Sequence, residues 1–361
     1  MEAFLPDLAS HVGAWLSGQG ADSDVVISTR VRLARNVRGF PFPVKLDEER
    51  AAELVAKLEE EIRSCPQLQG ARFVGLKRTT EICREALLER FLISRELVAS
   101  RAERAVAFDD EETMSLMIHE EDHLRLQSLR AGFDLDAAFE RIVEVDRALE
   151  ARLPFAFSEE FGYLTSCPTN VGTGMRISVM LHLPGLSLVN RELKKVLNVA
   201  NRLHLAVRGL HGEGTQAHGG FYQVSNQVTL GRTERELLED LRAVVPRIVD
   251  FERQVRRTLF QAKNEELVTR VLATQESLRT GRPIHLDAAV NGLSTLLLAS
   301  AANGLPGEVA STIPKRGDLL RWLVQIHPGH LQARLRKRLA QNEVEKERGS
   351  FLQQSVSGAA A

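Results

Sequence analysis

The sequence predicts a mixed α/β chain of the α+β kind, in which a strand-bearing region is followed by an all-helical one. Three observations predict it. Runs at 25–33, 174–183 and within 113–127 alternate apolar and polar residues with the period of a half-buried strand. Stretches between them carry the 3.6-residue spacing of amphipathic helices. From about residue 257 onward the pattern is helical.

The first strand, VVISTRVRL, places Val25, Ile27, Val31 and Leu33 on one face and Ser28, Arg30 and Arg32 on the other. A helix follows Asp47, whose carboxylate suits an N-cap, with Leu54, Val55, Leu58 and Ile62 as its apolar stripe. TMSLMIHEEDHLRLQ (113–127) reads as two strands joined through the polar EEDH stretch, with Met114, Leu116, Ile118, Leu124 and Leu126 in one phase. A helix over about 134–150 turns Leu135, Ala138, Phe139, Ile142 and Val145 inward. In GMRISVMLHL (174–183), Arg176, Ser178 and His182 oppose the apolar face. A helix follows Asn190, and strands are expected at 204–208 and 221–230. The glycine-rich GLHGEGTQAHGG between those two strands predicts a mobile loop. Thr233 and Glu236 form a capping box before a long helix, with a kink expected at Pro246. Helical pieces at 257–279, 286–302 and 315–328 are separated by TGRP, NGLPGE and HPGH. A domain boundary is placed near 256, giving regions 1–256 and 257–361. The tail from Ser355 reads as disordered, and no internal repeat is seen.

Composition excludes several function classes. The 361 residues carry 47 basic and 48 acidic side chains, so no global field attracts nucleic acid or an anionic membrane. Aromatics are only 5%, which disfavours base-stacking platforms. The three cysteines, Cys65, Cys83 and Cys167, form no CxxC pair and no disulfide framework. The N-terminus lacks the basic lead of a secretory signal, and the longest apolar run is too short to span a bilayer. A cytoplasmic protein with neither nucleic-acid nor membrane partner is expected.

The arginines carry the chemistry. Arg30, Arg32, Arg125 and Arg176 project from the polar faces of their strands, and Arg208 ends the LAVR strand. Guanidiniums gathered on one sheet face repel each other unless an anion sits among them. A polyphosphate fits, because arginine binds phosphate bidentately and stays charged. Singly, each arginine also reads as an ordinary solvent-facing side chain; in phase together, they favour the anion. Glu120, Glu121 and Asp122 form an acidic turn before Arg125, and Glu213 lies in the glycine-rich loop. Beside a phosphate site such acids suit a cationic substrate, although a solvated acidic turn is the simpler reading of the turn alone. His119 to His123 match H-E-x-x-H, but zinc ligation by that motif needs a helix, and the flanks read as strands. Cys167 opens CPTNVGTGMR, where Gly172 and Gly174 allow close backbone approach; it reads as an inert small hydrophobe or as a thiolate. Neither a Walker A sequence nor the protein-kinase motif set is present.

STRVR (28–32), EEDHLR (120–125), CPTNVGT (167–173) with Arg176, and RGLHGE (208–213) occur in the order found in the phosphagen (guanidino) kinases. FYQVSNQVTLGRTE (221–234) is similar to a further segment of that family. The resemblance spans roughly residues 20–255. It is closer to the bacterial protein-arginine kinase branch, because STRVR lies near the N-terminus and a helical region follows. The resemblance implies an antiparallel sheet flanked by helices, with a C-terminal helical domain. It implies ATP-dependent phosphorylation of arginine side chains in proteins. Kinases of free arginine or another small guanidino compound, and a silent arginine- or phosphoarginine-binding adaptor, are the alternatives. Ser28, Arg30, Arg32, Arg125, Arg176 and Arg208 look like the residues that hold the ATP phosphates. Glu121 and Glu213 resemble the carboxylate pair for the guanidinium, and Cys167 resembles the reactive cysteine beside it. Magnesium would be held by ATP and water, with no protein metal ligand assigned. The family also implies a homodimer, an activator protein and a Clp-type protease as partners, and a role in stress response. The sequence departs from the family at His119, where asparagine is usual, and at Phe91, where related bacterial enzymes carry histidine. The R-D-x-x-R-A motif of the C-terminal domain is not found; Arg334, Arg336, Lys337 and Arg338 read instead as one solvated helical face.

Overall fold

The strands are β1 (Val26–Arg35), β2 (Arg72–Gly75), β3 (Ala105–Phe108), β4 (Met114–Ile118), β5 (Leu124–Ala131), β6 (Phe157–Ser158), β7 (Gly162–Tyr163), β8 (Met175–His182), β9 (Leu205–Gly209) and β10 (Phe221–Asn226). They come from a computed structural model that describes residues 12–99, 102–209, 218–302 and 305–358. β6 and β7 pair with each other; the other eight form one sheet in the order β2-β3-β4-β5-β1-β8-β10-β9, antiparallel throughout. The helices are α1 (Glu48–Arg63), α2 (Glu81–Glu89), α3 (Arg95–Ala99), α4 (Leu135–Glu150), α5 (Pro184–Leu188), α6 (Asn190–Arg202), α7 (Glu234–Arg279), α8 (Leu286–Ser300), α9 (Gly307–Ala310), α10 (Arg316–Gln325), α11 (Pro328–Leu335) and α12 (Gln341–Gly358). No described helix is long and apolar enough to cross a membrane.

Alternation gives the sheet two unlike faces. Val31, Leu33, Leu126, Ile177, Val179 and Val224 join Leu54 and Leu58 of α1, Ile142 of α4 and Leu241 of α7 in one buried cluster. The helix starts follow local chemistry. Asp47 accepts the Arg50 N–H, Asp134 accepts the Ala137 N–H, and Thr233 with Glu236 completes the expected capping box. The opposite face carries the arginines. At its far end it carries a second cluster, in which Trp15, Ile27, Leu129 and Phe221 meet Leu293, Leu320 and Leu352 of the C-terminal helices.

Several expectations shift. Val26 opposes Leu181 and Ser28 opposes Met180, so β1 holds a bulge. The extra residue turns Ile27 off its expected face and into the second cluster. β10 stops at Asn226 rather than 230, because the Asn226 side chain takes over the ladder, accepting the Ile177 N–H and donating to the Met175 carbonyl. Helix α7 runs through Pro246 and breaks at Lys263 instead (φ −139°, ψ 33°). The carbonyl that Pro246 frees belongs to exposed Arg242, where water can satisfy it. Residue 256 lies inside this helix; Arg256 is buried and donates to the carbonyls of Asp24 and His182. The tail is helical through Gly358, anchored by buried Val356. Arg336 is left-handed and ends α11, so the basic cluster is not one helical face: Arg334 bonds Gln354 and Arg338 pairs with Glu81.

Two contacts fix how the regions meet. Gly329 lets α11 approach α2 closely, since a Cβ there would stand 2.6 Å from the Ala86 nitrogen. Glu89 of α2 then accepts the Gly329 and His330 N–H groups at 2.7 and 2.9 Å, satisfying the start of α11. At the site end of β1, Arg35 makes a two-pronged pair with Asp146 of α4 (3.0 and 2.7 Å) and donates to the Thr173 carbonyl, joining β1, α4 and the segment leading into β8. Arg35→Met leaves Asp146 buried without a counter-charge. Urea unfolding should show a loss of about 3–5 kcal/mol, much of it recovered when Asp146 is made leucine as well.

Candidate active site

Three neighbouring strands bring four of the arginines together. Arg30 and Arg32 lie on β1, Arg176 on β8 directly opposite Arg32, and Arg125 on β5 opposite Ala34. Arg208 of β9 pairs with Gln223 of β10 and adds its field to that of Arg176. Burial, then Arg125 and Arg176, push the Arg30 guanidinium down to about 10. Burial, then Arg30, Arg125 and Arg176, push Arg32 well below its usual range. Burial, Arg208 and Arg125 lower Arg176. Arg30 is positioned by Ser178 (3.1 Å) and Gln223 (2.9 Å), and Arg125 by Glu120 (2.6 Å). The Nε atoms of Arg32 and Arg176 are buried and bond no protein atom. Desolvated guanidiniums with donors to spare, beside one another, fit a polyanion. Ser28 lies on the same face, buried and opposite Met180, two positions along β1 from Arg30.

A cavity of about 450 Å³ continues from Arg30, Arg32 and Arg125. Its wall is mostly apolar, with Trp15, Ile27, Phe91, Met117, Met180 and Phe221 from the sheet region and Leu286, Leu320 and Val324 from the C-terminal helices; Glu89, Gln127 and His327 are among its polar residues. Phe91, one of the departures from the family pattern, is held left-handed (φ 60°), and its carbonyl accepts the Gln127 side chain. The C-terminal helices thus complete a pocket that sequence reasoning placed wholly in the first region. A larger cavity of about 700 Å³ lies against edge strand β2 and includes none of these arginines.

The acidic turn joins β4 to β5 as a tight hairpin, with His119 N–H to the His123 carbonyl and Glu120 N–H to the Asp122 carbonyl. It is not the helix that H-E-x-x-H requires. His119 bonds the Glu103 carbonyl, and both ring nitrogens of His123 are engaged, by the Val37 N–H and the Pro41 carbonyl. Asp122 points inward and accepts from Asn36 (2.7 Å) and from the Ser166 N–H (2.6 Å). Asn36 also accepts the His123 N–H and donates to the Leu164 carbonyl. This tie lashes the acidic turn to the segment that leads to Cys167. Sequence reasoning missed Asn36, because no local pattern links it to residues 122 and 164. Glu121 points outward beside Cys167; partial burial, then Asp122 and Glu120, raise its carboxyl above the ordinary 4.5. Cys167 contacts the Thr169 hydroxyl at 3.0 Å and lies within the field of Arg176. Glu213 lies outside the described residues, as does most of the glycine-rich loop.

The arrangement thus sets a polyanion site against a carboxylate and a thiol that suit a cation. The family described as ATP:guanido phosphotransferase, C-terminal catalytic domain, matches residues 53–255, and this chain belongs to it. Among curated proteins, a protein-arginine kinase of Halothermothrix orenii is 38% identical over 349 residues, covering 96% of this chain and 98% of that protein. One of Moorella thermoacetica is 39% identical over 347 residues, covering 95% and 97%. Among solved structures, a lombricine kinase superposes with a TM-score of 0.57 at 27% identity, covering 70% of this chain and 72% of that one. A duplicated taurocyamine kinase from Schistosoma mansoni, bound to components of a transition-state analogue, gives 0.58 at 28%, covering 69% and 36%. The family match begins after β1, yet β1 sits between β5 and β8 and supplies Arg30 and Arg32.

Removing the Asn36 tie should separate positioning from folding. Asn36→Ala is expected to lower kcat for phosphoryl transfer by up to about 100-fold, the scale of a 1 Å misplacement, with KM for ATP little changed. Steady-state kinetics alongside a thermal unfolding scan tests this.

Proposed function

We propose that the chain is an ATP-dependent protein-arginine kinase, transferring the γ-phosphoryl group of ATP to arginine guanidinium groups in proteins. The observation that carries this reading is the juxtaposition of the arginine row on the central strands with Glu121 and Cys167, both within the field of Arg176 at one end of those strands. Near-full-length similarity to proteins named protein-arginine kinase supports the acceptor class over a free guanidino compound.

In this reading Arg30, Arg32, Arg125, Arg176 and Arg208 hold the triphosphate, and the unpartnered Nε atoms of Arg32 and Arg176 supply donors for it. The nucleoside enters the apolar cavity. Magnesium, held by the ATP phosphates and water, would supply charge neutralisation there; Glu120 is engaged by Arg125 rather than directed to a metal. A guanidinium, with a pKa of about 13.8, is a poor nucleophile. Glu121, with Glu213 as the second clamp assigned through the family resemblance, aims one guanidino nitrogen in line with the γ-phosphorus. Holding both reactants can remove about 7–11 kcal/mol of the barrier. As the N–P bond forms, the bond from the γ-phosphorus to the bridging oxygen breaks, ADP leaves and the guanidino proton passes to a clamp carboxylate. A carboxyl that titrates above the ordinary range accepts that proton more readily. The arginine row faces the charge that spreads over the phosphoryl oxygens in the transition state. Cys167 lies beside Glu121 and flanks the same guanidinium.

We further assign residues 1–256 as catalytic and 257–361 as a regulatory and dimerising region. A cytoplasmic homodimer working with an activator protein and a Clp-type protease in stress response follows from the same resemblance. Sedimentation should give twice the mass of the 361-residue chain.

Glu121→Gln and Glu213→Gln should each abolish phosphorylation of an unfolded protein substrate while ATP still raises the unfolding temperature. Full activity in either variant would remove the clamp. The clamp works only with Glu121 ionised, so activity present at neutral pH is lost as pH falls through its raised pKa. The acid limb of kcat/KM should therefore lie above 4.5, the ordinary value.

A further inference from the structure

Three loops are fastened to the acidic turn and the Cys167 segment at the acceptor end of the site. The Pro41 carbonyl accepts the His123 ring at 2.7 Å, which places 41–44 beside the acidic turn. Tyr163 N–H donates to the Gly172 carbonyl at 2.8 Å, which places the β6–β7 hairpin beside the Cys167 segment. The Thr229 hydroxyl bonds the Thr169 and Val171 carbonyls at 2.9 and 2.7 Å, which places 228–230 on the other side of that segment. Gly172 sits between the last two; a Cβ there would meet the Thr229 carbonyl at 2.7 Å and Leu230 Cα at 2.9 Å.

These loops expose large apolar side chains. Phe42, Val44, Phe157, Phe161, Val228 and Leu230 are 37–88% exposed, and they make up six of the eleven large hydrophobics exposed among the described residues. Single exposed hydrophobics are ordinary, but their concentration around one site is not. None of them lines the cavity that continues from the arginine row. Between Phe157 and Phe161 the hairpin also exposes Glu159 and Glu160, which suit a chain carrying arginines.

We infer that this apolar collar seats the side chains flanking the target arginine, so that the preferred acceptor is an extended polypeptide with apolar residues on both sides of that arginine. The inference rests on the protein-acceptor reading above and names what that acceptor looks like. In an extended chain the residues two positions either side of the arginine lie about 7 Å away and point the same way, so they meet the rim when the guanidinium enters. A free guanidino compound has no such groups and gains nothing from the collar.

The test uses the full chain and three acceptors: an unstructured peptide with leucine two residues either side of its arginine, the same peptide with serine there, and free arginine. The leucine peptide should show a kcat/KM about 10-fold above the serine peptide, the scale of partly burying two apolar side chains. That advantage should lie in KM. Phe161→Ser and Leu230→Ser should each shrink it, and the double variant should bring it close to one, with KM for ATP and activity on the serine peptide unchanged. Equal rates on the two peptides with the wild-type chain would overturn the collar, as would an undiminished preference in the double variant. Self-association abolished by the double variant, with no peptide preference, would assign the collar to a second copy of the chain instead. Phosphorylation of free arginine with neither peptide modified would instead contradict the protein-acceptor reading itself.

Discussion

Electrostatic repulsion on one face of the sheet is the constraint from which the rest follows. Arg30, Arg32, Arg125 and Arg176 are brought together by strand register; Arg125 and Arg176 lower Arg30, and all three of these lower Arg32. Among the described residues only Glu120 offers the row a buried counter-charge, and it is committed to Arg125. The strain is tolerated because the other face buries a large apolar cluster under α1, α4 and α7, and because Arg35 is neutralised separately by Asp146. A site that binds a polyanion is by its nature unfavourable when empty of one. The fold stores that cost where a ligand can relieve it.

Opposite charges are kept apart by direction rather than by distance. Within three consecutive residues, Glu120 turns to Arg125, Glu121 lies beside Cys167, and Asp122 turns to Asn36 and the Ser166 backbone. One acid thus orients the arginine row, one stays exposed beside the thiol, and one holds the loops together. The C-terminal helices are part of this machinery. They close the cavity next to the arginines, and α11 is docked on α2 through Glu89. Movement of those helices would reshape the cavity beside the arginine row directly.

Much of this was legible in the chain because it is written in short-range periodicity. The phase of β1 and β8 placed Arg30, Arg32 and Arg176 on one face, the break at EEDH marked the hairpin, and Asp47 and Thr233 marked helix starts. Features that depend on distant partners were not legible. The β1 bulge, which moves Ile27 across the sheet, is defined only against β8. Pro246 carries a strong local signal for a kink, but an exposed carbonyl absorbs its effect, and the break falls at Lys263 without one. Asn36 bonds residues more than eighty positions away, and the role of Leu286, Leu320 and Val324 in the cavity needs the whole tertiary fold. Edge strand β2 and helix α2 carry too little alternation to stand out.

The stored repulsion is also the most directly measurable feature. Arg32→Met should raise the unfolding free energy of the nucleotide-free protein, since it removes a desolvated charge from among three others. The same change should abolish the further stabilisation that ATP or inorganic triphosphate gives the wild-type chain. A variant that is less stable without ligand, yet still stabilised by triphosphate as strongly as the wild type, would contradict the account.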